Sequence, residues 1–166
     1  MPTPKVYIDG SAGTTGLRIQ DQLSPREDIE LNVLAYEDRR DTEKRRAATA
    51  EADLTILCLP DDASIEAAAW AKEENTKVVD ASTAHRVNDE WAFGLPEMTP
   101  TQREKISNAQ NVSNPGCYPT GTILSIRPLI ENGLLGEDAP ITIHALSGYS
   151  GGGKKLIAKW EDERPD

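Results

Sequence analysis

The run Leu54-Thr55-Ile56-Leu57-Cys58-Leu59 is apolar at nearly every position and is stopped by Pro60. A strand wetted on one face alternates in polarity. One that stays apolar is covered on both faces, as in the interior of a parallel sheet. Lys5–Asp9, Leu31–Tyr36 and Lys77–Asp80 read as further strands, with helices between them at Leu17–Leu23, Thr42–Glu51 and Ala63–Glu74. The charged Thr42–Glu51 segment reads as a solvated helix. This alternation predicts an α/β fold: a Rossmann-like parallel sheet flanked by helices, with right-handed crossovers.

Beyond Asp80 the rhythm changes. Gly94, Pro96 and Pro100 break up residues 81–100, and a helix over Thr101–Asn108 and a strand over Asn111–Ser113 follow. A helix is expected over Pro119–Glu131, a strand over Ile141–Leu146 and a helix over Leu156–Glu161, with a glycine-rich stretch at Ser147–Gly153. The change of pattern predicts two domains, 1–115 and 116–166. The acidic ending 161–166 reads as the start of a surface loop.

Composition narrows the partners. With 166 residues the chain is long enough for a real core without metal or disulfide staples. Its net charge of −10 disfavours nucleic acid and anionic membranes. No apolar stretch approaches the roughly 20 residues of a membrane helix, and Met-Pro-Thr-Pro-Lys leads into a strand without a signal-peptide block. Cys58 and Cys117 form no CxxC, so neither a disulfide framework nor a metal site is expected. These readings together predict a cytoplasmic protein.

The segment Gly10-Ser11-Ala12-Gly13-Thr14-Thr15-Gly16 joins the first strand to the first helix. Glycines there permit a tight turn and a close approach of backbone N–H groups to a pyrophosphate, which the helix N-terminus favours. The spacing GxxGxxG departs from GxGxxG, so the placement between strand and helix carries the reading. About 20 residues further on, Glu37-Asp38 could hold a ribose 2′-hydroxyl. Arg39 and Arg40 follow at once and could hold a 2′-phosphate. The reading leans to NADP, with Arg39 or Arg40 as the discriminator, but the spacing leaves NAD open.

Cys117 stands in Pro115-Gly116-Cys117-Tyr118-Pro119-Thr120, just ahead of an expected helix. Free N–H groups and the helix dipole favour a thiolate there and could stabilise an oxyanion on a carbonyl bound to sulfur. Cys58, inside an apolar strand, is the control: it reads as an inert small hydrophobe. A nucleotide turn joined to a nucleophilic cysteine points to reduction of an activated carboxyl group to an aldehyde.

With these residues placed, the chain resembles the N-acetyl-γ-glutamyl-phosphate reductases of arginine biosynthesis, in their shorter form. The resemblance runs through Gly10–Gly16, Cys58-Leu59-Pro60-Asp61-Asp62-Ala63, Asp80-Ala81-Ser82-Thr83-Ala84-His85-Arg86 and Phe93-Gly94-Leu95-Pro96-Glu97. It continues through Ser113–Thr120 and Ser147-Gly148-Tyr149-Ser150-Gly151-Gly152-Gly153-Lys154. It implies an NADPH-dependent reduction of N-acetylglutamyl 5-phosphate to the 5-semialdehyde, with phosphate released and Cys117 carrying a thioacyl intermediate. Gly10, Ser11, Gly13, Thr14, Thr15, Gly16, Arg39, Arg40, Leu59 and Pro60 are then expected on the cofactor, and Ser82, Arg86, Asn114 and Gly148 on the substrate. The resemblance also implies a homo-oligomer and a second, substrate and dimerisation domain, of which 116–166 is the start. The family's acid/base histidine is expected beyond residue 166, since neither His85 nor His144 matches it, and the 166 residues alone are expected to be inactive or severely impaired.

Three other motifs nearly fit. Gly148–Lys154 satisfies GxxxxGK, but Lys155 stands where a P-loop needs Ser or Thr. Four residues after Tyr149 lies Gly153, which breaks Tyr-x-x-x-Lys, and Asn111-Val112-Ser113 is a glycosylation acceptor only in a secretory setting. Two rivals keep more of the residues: an aspartate-semialdehyde dehydrogenase-like reductase, and an NADP-binding module without turnover.

Overall fold

The computed structural model describes residues 2–162. They open with β1 (Lys5–Asp9), α1 (Thr14–Leu23), β2 (Glu30–Asn32), α2 (Thr42–Ala50), β3 (Leu54–Leu57), α3 (Asp61–Glu74) and β4 (Lys77–Asp80). Then come β5 (Ala92–Phe93), α4 (Gln102–Asn108), β6 (Asn111–Ser113), α5 (Cys117–Glu131) and α6 (Gly153–Glu161). The strands form one six-stranded sheet in the order β2-β1-β3-β4-β6-β5, and every pairing is parallel. This is the Rossmann-like arrangement. The chain leaves β1 toward β2 and returns on the other side to β3, so the order reverses between β1 and β3. Ligands of open α/β sheets bind at such a reversal, outside the carboxyl ends of the strands.

β1 is buried along its last four residues, as a strand covered on both faces must be. Leu57, Ala67, Trp70, Ala71 and Val78 form the core between β3, β4 and α3, with Leu59, Ala68 and Trp91 packed against it. α3 ends at Asn75 in the left-handed conformation (φ 57°), a residue type that tolerates it as a helix stop.

Several elements differ from the sequence reading. β2 stops at Asn32 instead of Tyr36, because β1 offers it partners only from Lys5 to Tyr7 and the chain then turns at Ala35–Asp41. The charged helix α2 is not wholly solvated: it is capped by Asp41 and buries Arg45, Ala48 and Thr49. The tract 81–100 holds a two-residue strand, β5, at the sheet edge. α5 starts at Cys117, two residues before the expected Pro119, so the cysteine opens the helix. Residues 141–146 carry no strand, since none of the described residues from 118 to 162 forms another strand to pair with them.

Residue contacts divide the chain after Cys117 into Met1–Cys117 and Tyr118–Asp166. The second unit holds the rest of α5, interrupted in its hydrogen bonding by Pro128, a short 3-10 turn at Tyr149–Gly152, and α6. The end of the sequence, 163–166, lies outside the described residues.

Candidate active site

The carboxyl edge of the sheet is laced by four backbone hydrogen bonds just past the strand ends. Cys58 N–H donates to Asp9 C=O (2.8 Å), Ala81 N–H to Leu57 C=O (2.9 Å), Asn114 N–H to Asp80 C=O (2.7 Å) and Gly94 N–H to Ser113 C=O (2.8 Å). Each strand thereby hands its exit residue to a neighbour. The glycine turn, Cys58–Pro60, Ala81–Arg86, Gly94 and Asn114–Cys117 line up on one edge of one rigid sheet.

At the strand-order reversal, Gly10 has φ +86°, and a Cβ there would meet the Cys58 carbonyl oxygen at 2.3 Å. A Cβ on Gly16 would stand 2.3 Å from the Gly10 carbonyl oxygen, so this glycine lets α1 seat on the turn. Gly13 N–H donates to Gly10 C=O (3.0 Å), closing the loop, and Gly13 caps α1 without a side-chain hydrogen bond. The turn thus presents backbone donors at a helix start, with room for a close backbone approach: it fits a pyrophosphate. Ser11 is half-buried, and Thr14 and Thr15 stand exposed on the first turn of α1. Leu59 is half-buried under Gly10, and exposed Pro60 caps α3.

The turn after β2 separates its four charges. Asp38 accepts from Lys44 Nζ (2.6 Å), and the Arg39 guanidinium lies 3.4 Å over the Tyr36 ring and donates to the Tyr36 carbonyl. Glu37 and Arg40 are exposed, and Arg40 has no hydrogen bond or ion pair among the described residues.

Asp80, fully buried at the end of β4, gathers the next segment. Ser82 N–H donates to its Oδ1 (2.9 Å), Ser82 Oγ–H to its Oδ2 (2.6 Å), Ser64 Oγ–H to its Oδ1 (3.1 Å), and His85 Nδ1 lies 2.6 Å from its Oδ2. The His85 ring stacks on Trp91 at 3.9 Å. The Ser82 hydroxyl also accepts from Ala84 N–H (3.2 Å), so it is occupied inside the loop. Asp61 accepts from Thr83, whose hydroxyl is the main reason its carboxyl is held below the usual carboxylate range. Arg86 is half-buried and anchored by carbonyls alone: its Nε donates to Asn114 C=O (3.1 Å) and its Nη2 to Ala81 C=O (3.2 Å).

Cys117 is exposed at the first position of α5, three residues past the carbonyl that holds Arg86. The approach is fixed by Gly94, where a Cβ would stand 2.9 Å from the Ser113 carbonyl oxygen. Cys58 is half-buried, and burial, then the charges of Asp80 and Asp9, push its thiol up to about 11. Since the thiolate is the nucleophile, iodoacetamide at pH 8 should label Cys117 well before Cys58, as read by peptide mass spectrometry. Equal rates would show that the two thiols are not differentiated. Gly148 lies in the second unit, with open space where its Cβ would stand.

Sequence reasoning missed Asp80 and Arg45. The Arg45 guanidinium is buried against Asp9, with Nη2 to Oδ2 at 3.0 Å, directly before the glycine turn. An acidic residue ending an apolar strand was the available signal for both.

Residues 5–109 match the semialdehyde dehydrogenase NAD binding domain, and residues 117–164 the semialdehyde dehydrogenase dimerisation domain. An N-acetyl-gamma-glutamyl-phosphate reductase 2 of Nostoc sp. is 54% identical over 161 residues, covering 97% of this chain and 50% of its own. An N-acetyl-gamma-glutamyl-phosphate reductase of Brucella suis is 50% identical over 165 residues, covering 98% and 53%. The chain spans about half the length of the curated relatives it matches. Among solved structures, Vibrio cholerae aspartate semialdehyde dehydrogenase II complexed with ASA superposes with a TM-score of 0.72 at 19% identity, over 96% of this chain and 51% of that one. Candida albicans aspartate semialdehyde dehydrogenase with NADP gives 0.61 at 16% identity, over 79% and 48%. These structures share the fold. From the matched domains and the laced carboxyl edge together, the chain belongs to the semialdehyde dehydrogenase family.

Proposed function

We propose that this chain carries the cofactor turn and the nucleophile of an NADPH-dependent N-acetyl-γ-glutamyl-phosphate reductase, a cytoplasmic enzyme of arginine biosynthesis that works as a homo-oligomer. The observation that carries this reading is the placement of the glycine turn, carbonyl-anchored Arg86 and exposed Cys117 along one carboxyl edge. The names of the relatives at 50% and 54% identity supply the substrate.

The thiolate of Cys117 attacks the carbonyl carbon of the acyl phosphate. The carbon–sulfur bond forms, the carbon–oxygen bond to phosphorus breaks, and phosphate leaves with that electron pair. Arg86, which lies within ion-pair distance of no carboxylate among the described residues although its charge reaches Asp61, holds the anionic substrate, beside Asn114. Backbone N–H donors in the first turn of α5 favour the oxyanion that develops on the acyl carbon. Hydride donation is the chemistry NADPH supplies when bound. Cys117 then leaves as thiolate, the carbon–sulfur bond breaks, and the semialdehyde is released. The first unit would hold the cofactor through Gly10, Ser11, Gly13, Thr14, Thr15 and Gly16, with Leu59 and Pro60 beneath it. Arg40, exposed and without a hydrogen-bond or ion-pair partner among the described residues, and Arg39 favour a 2′-phosphate at the ribose. Ser82 completes the proposed substrate set of the first unit, from inside the loop that carries Arg86.

The test is the reverse reaction. The complete protein should oxidise N-acetylglutamate semialdehyde with NADP and phosphate, and faster than it oxidises aspartate semialdehyde. The 166 residues alone should turn over little or nothing, because His85 and His144 do not match the expected acid/base histidine. A preference for aspartate semialdehyde would transfer the chain to the sister activity.

A further inference from the structure

The described arginines fall into two groups. Arg26, Arg45, Arg46 and Arg127 each lie within ion-pair distance of a carboxylate. Arg18, Arg39, Arg40, Arg86 and Arg103 do not, and among these Arg86 is half-buried and bound at two N–H groups by the carbonyls of Asn114 and Ala81. A guanidinium has five N–H donors, so most of its fork stays open to an anion. Its aim depends on two backbone segments, 81–86 and 114–117, holding one relative position.

Both segments are tied to Asp80. Its carboxylate takes Ser82 N–H, Ser82 Oγ–H, Ser64 Oγ–H and His85 Nδ1, and its own backbone carbonyl takes Asn114 N–H. The aromatic floor is set by Trp91, stacked on His85 with the ring planes 9° apart. A carboxylate that is fully buried and four times hydrogen-bonded is costly unless every bond is kept, so the loop around it has one arrangement. We infer that Asp80, with His85 as its partner, is the positioning residue for the substrate anion: it fixes the 81–86 loop so that Arg86 stands ready beside the Asn114–Cys117 segment. This rests on the proposed reductase reading for the identity of the anion, a phosphoryl group. Asp80 itself touches no substrate.

The test uses the complete protein and inorganic phosphate as probe. Iodoacetamide alkylation of Cys117 is followed by peptide mass spectrometry with and without phosphate, and the reverse reaction is followed in parallel. Asp80→Asn keeps the shape and one oxygen acceptor. It should raise KM for phosphate by about 10- to 100-fold, as misplacement of a positioned group does, while KM for NADP stays near the parent value. Phosphate should protect parent Cys117 from alkylation and fail to protect it in Asp80→Asn. His85→Ala should behave like Asp80→Asn, whereas His85→Asn, which keeps a donor in the Nδ1 position, should recover most of the phosphate affinity. An unchanged KM for phosphate in folded Asp80→Asn would overturn the inference. So would parallel losses in both KM values, which mark a merely structural role, or an absence of phosphate protection in the parent. If phosphate protects Cys117 in the parent and not in Asp80→Asn, yet the parent does not oxidise N-acetylglutamate semialdehyde, the reductase reading fails while the positioning role of Asp80 stands.

Discussion

Cys117→Ser in the complete protein should lower turnover by at least roughly 10³-fold, the scale on which loss of a nucleophile is felt, while Cys58→Ser keeps activity near the parent level. The asymmetry has a structural origin. Cys117 is exposed and opens α5 beside the Arg86 anchor, whereas the Cys58 thiol is half-buried behind the ends of β1 and β4 and is pushed up to about 11, chiefly by burial. A serine at 117 retains size and a hydrogen-bond donor but ionises far less readily than a thiol, so attack on the acyl phosphate is lost before binding is. KM for NADP should therefore hold in the variant, and cofactor binding by calorimetry should survive. Equal activity in the two serine variants would remove Cys117 from the chemistry.

The difference in exposure between the two cysteines was legible in the sequence because each sits in a segment with an unambiguous character, one an apolar run and the other a Gly/Pro-flanked junction. The strands β1 and β4 were legible to the residue for the same reason, each a short apolar run that closes on an aspartate. What stayed hidden depended on partners distant in the chain. Periodicity carries no information about Arg45 finding Asp9, 36 positions away, so a helix rich in charge read as wholly solvated. β5 has two residues and exists only because β6 offers an edge. Residues 141–146 show the converse: an alternating pattern gives a strand only where a ladder awaits it. The Asp80 network follows the same rule. His85 and Ser82 are near Asp80 in sequence, yet their convergence on one carboxylate follows from the loop geometry after β4.

Arg45→Met is expected to lower stability by about 3–5 kcal/mol, the cost of leaving a buried charge without its partner. The Arg45 guanidinium reaches across from α2 to Asp9 with Nε 3.1 Å from Oδ1 and Nη2 3.0 Å from Oδ2, and its carbon end lies 5.1 Å from the centre of the Trp70 ring. Asp9 is nearly inaccessible, and its charge, after burial, helps push the Tyr7 hydroxyl to ionise far above its ordinary range. A methionine fills the aliphatic path of the arginine but cannot neutralise the carboxylate, so urea should unfold the variant at a markedly lower midpoint. Changing both partners, Asp9→Asn with Arg45→Met, removes the stranded charge and should recover a large part of the loss. If the double variant is no better than Arg45→Met, packing on Trp70 and not charge compensation holds α2 to the sheet. The position of the pair gives it a second consequence. Asp9 directly precedes Gly10, the first residue of the proposed pyrophosphate turn, and an uncompensated negative charge there would oppose an anionic cofactor. Arg45→Met should accordingly weaken NADPH binding at temperatures where the protein is fully folded, and the double variant should restore it. A change in stability without any change in NADPH affinity would confine the pair to holding the fold.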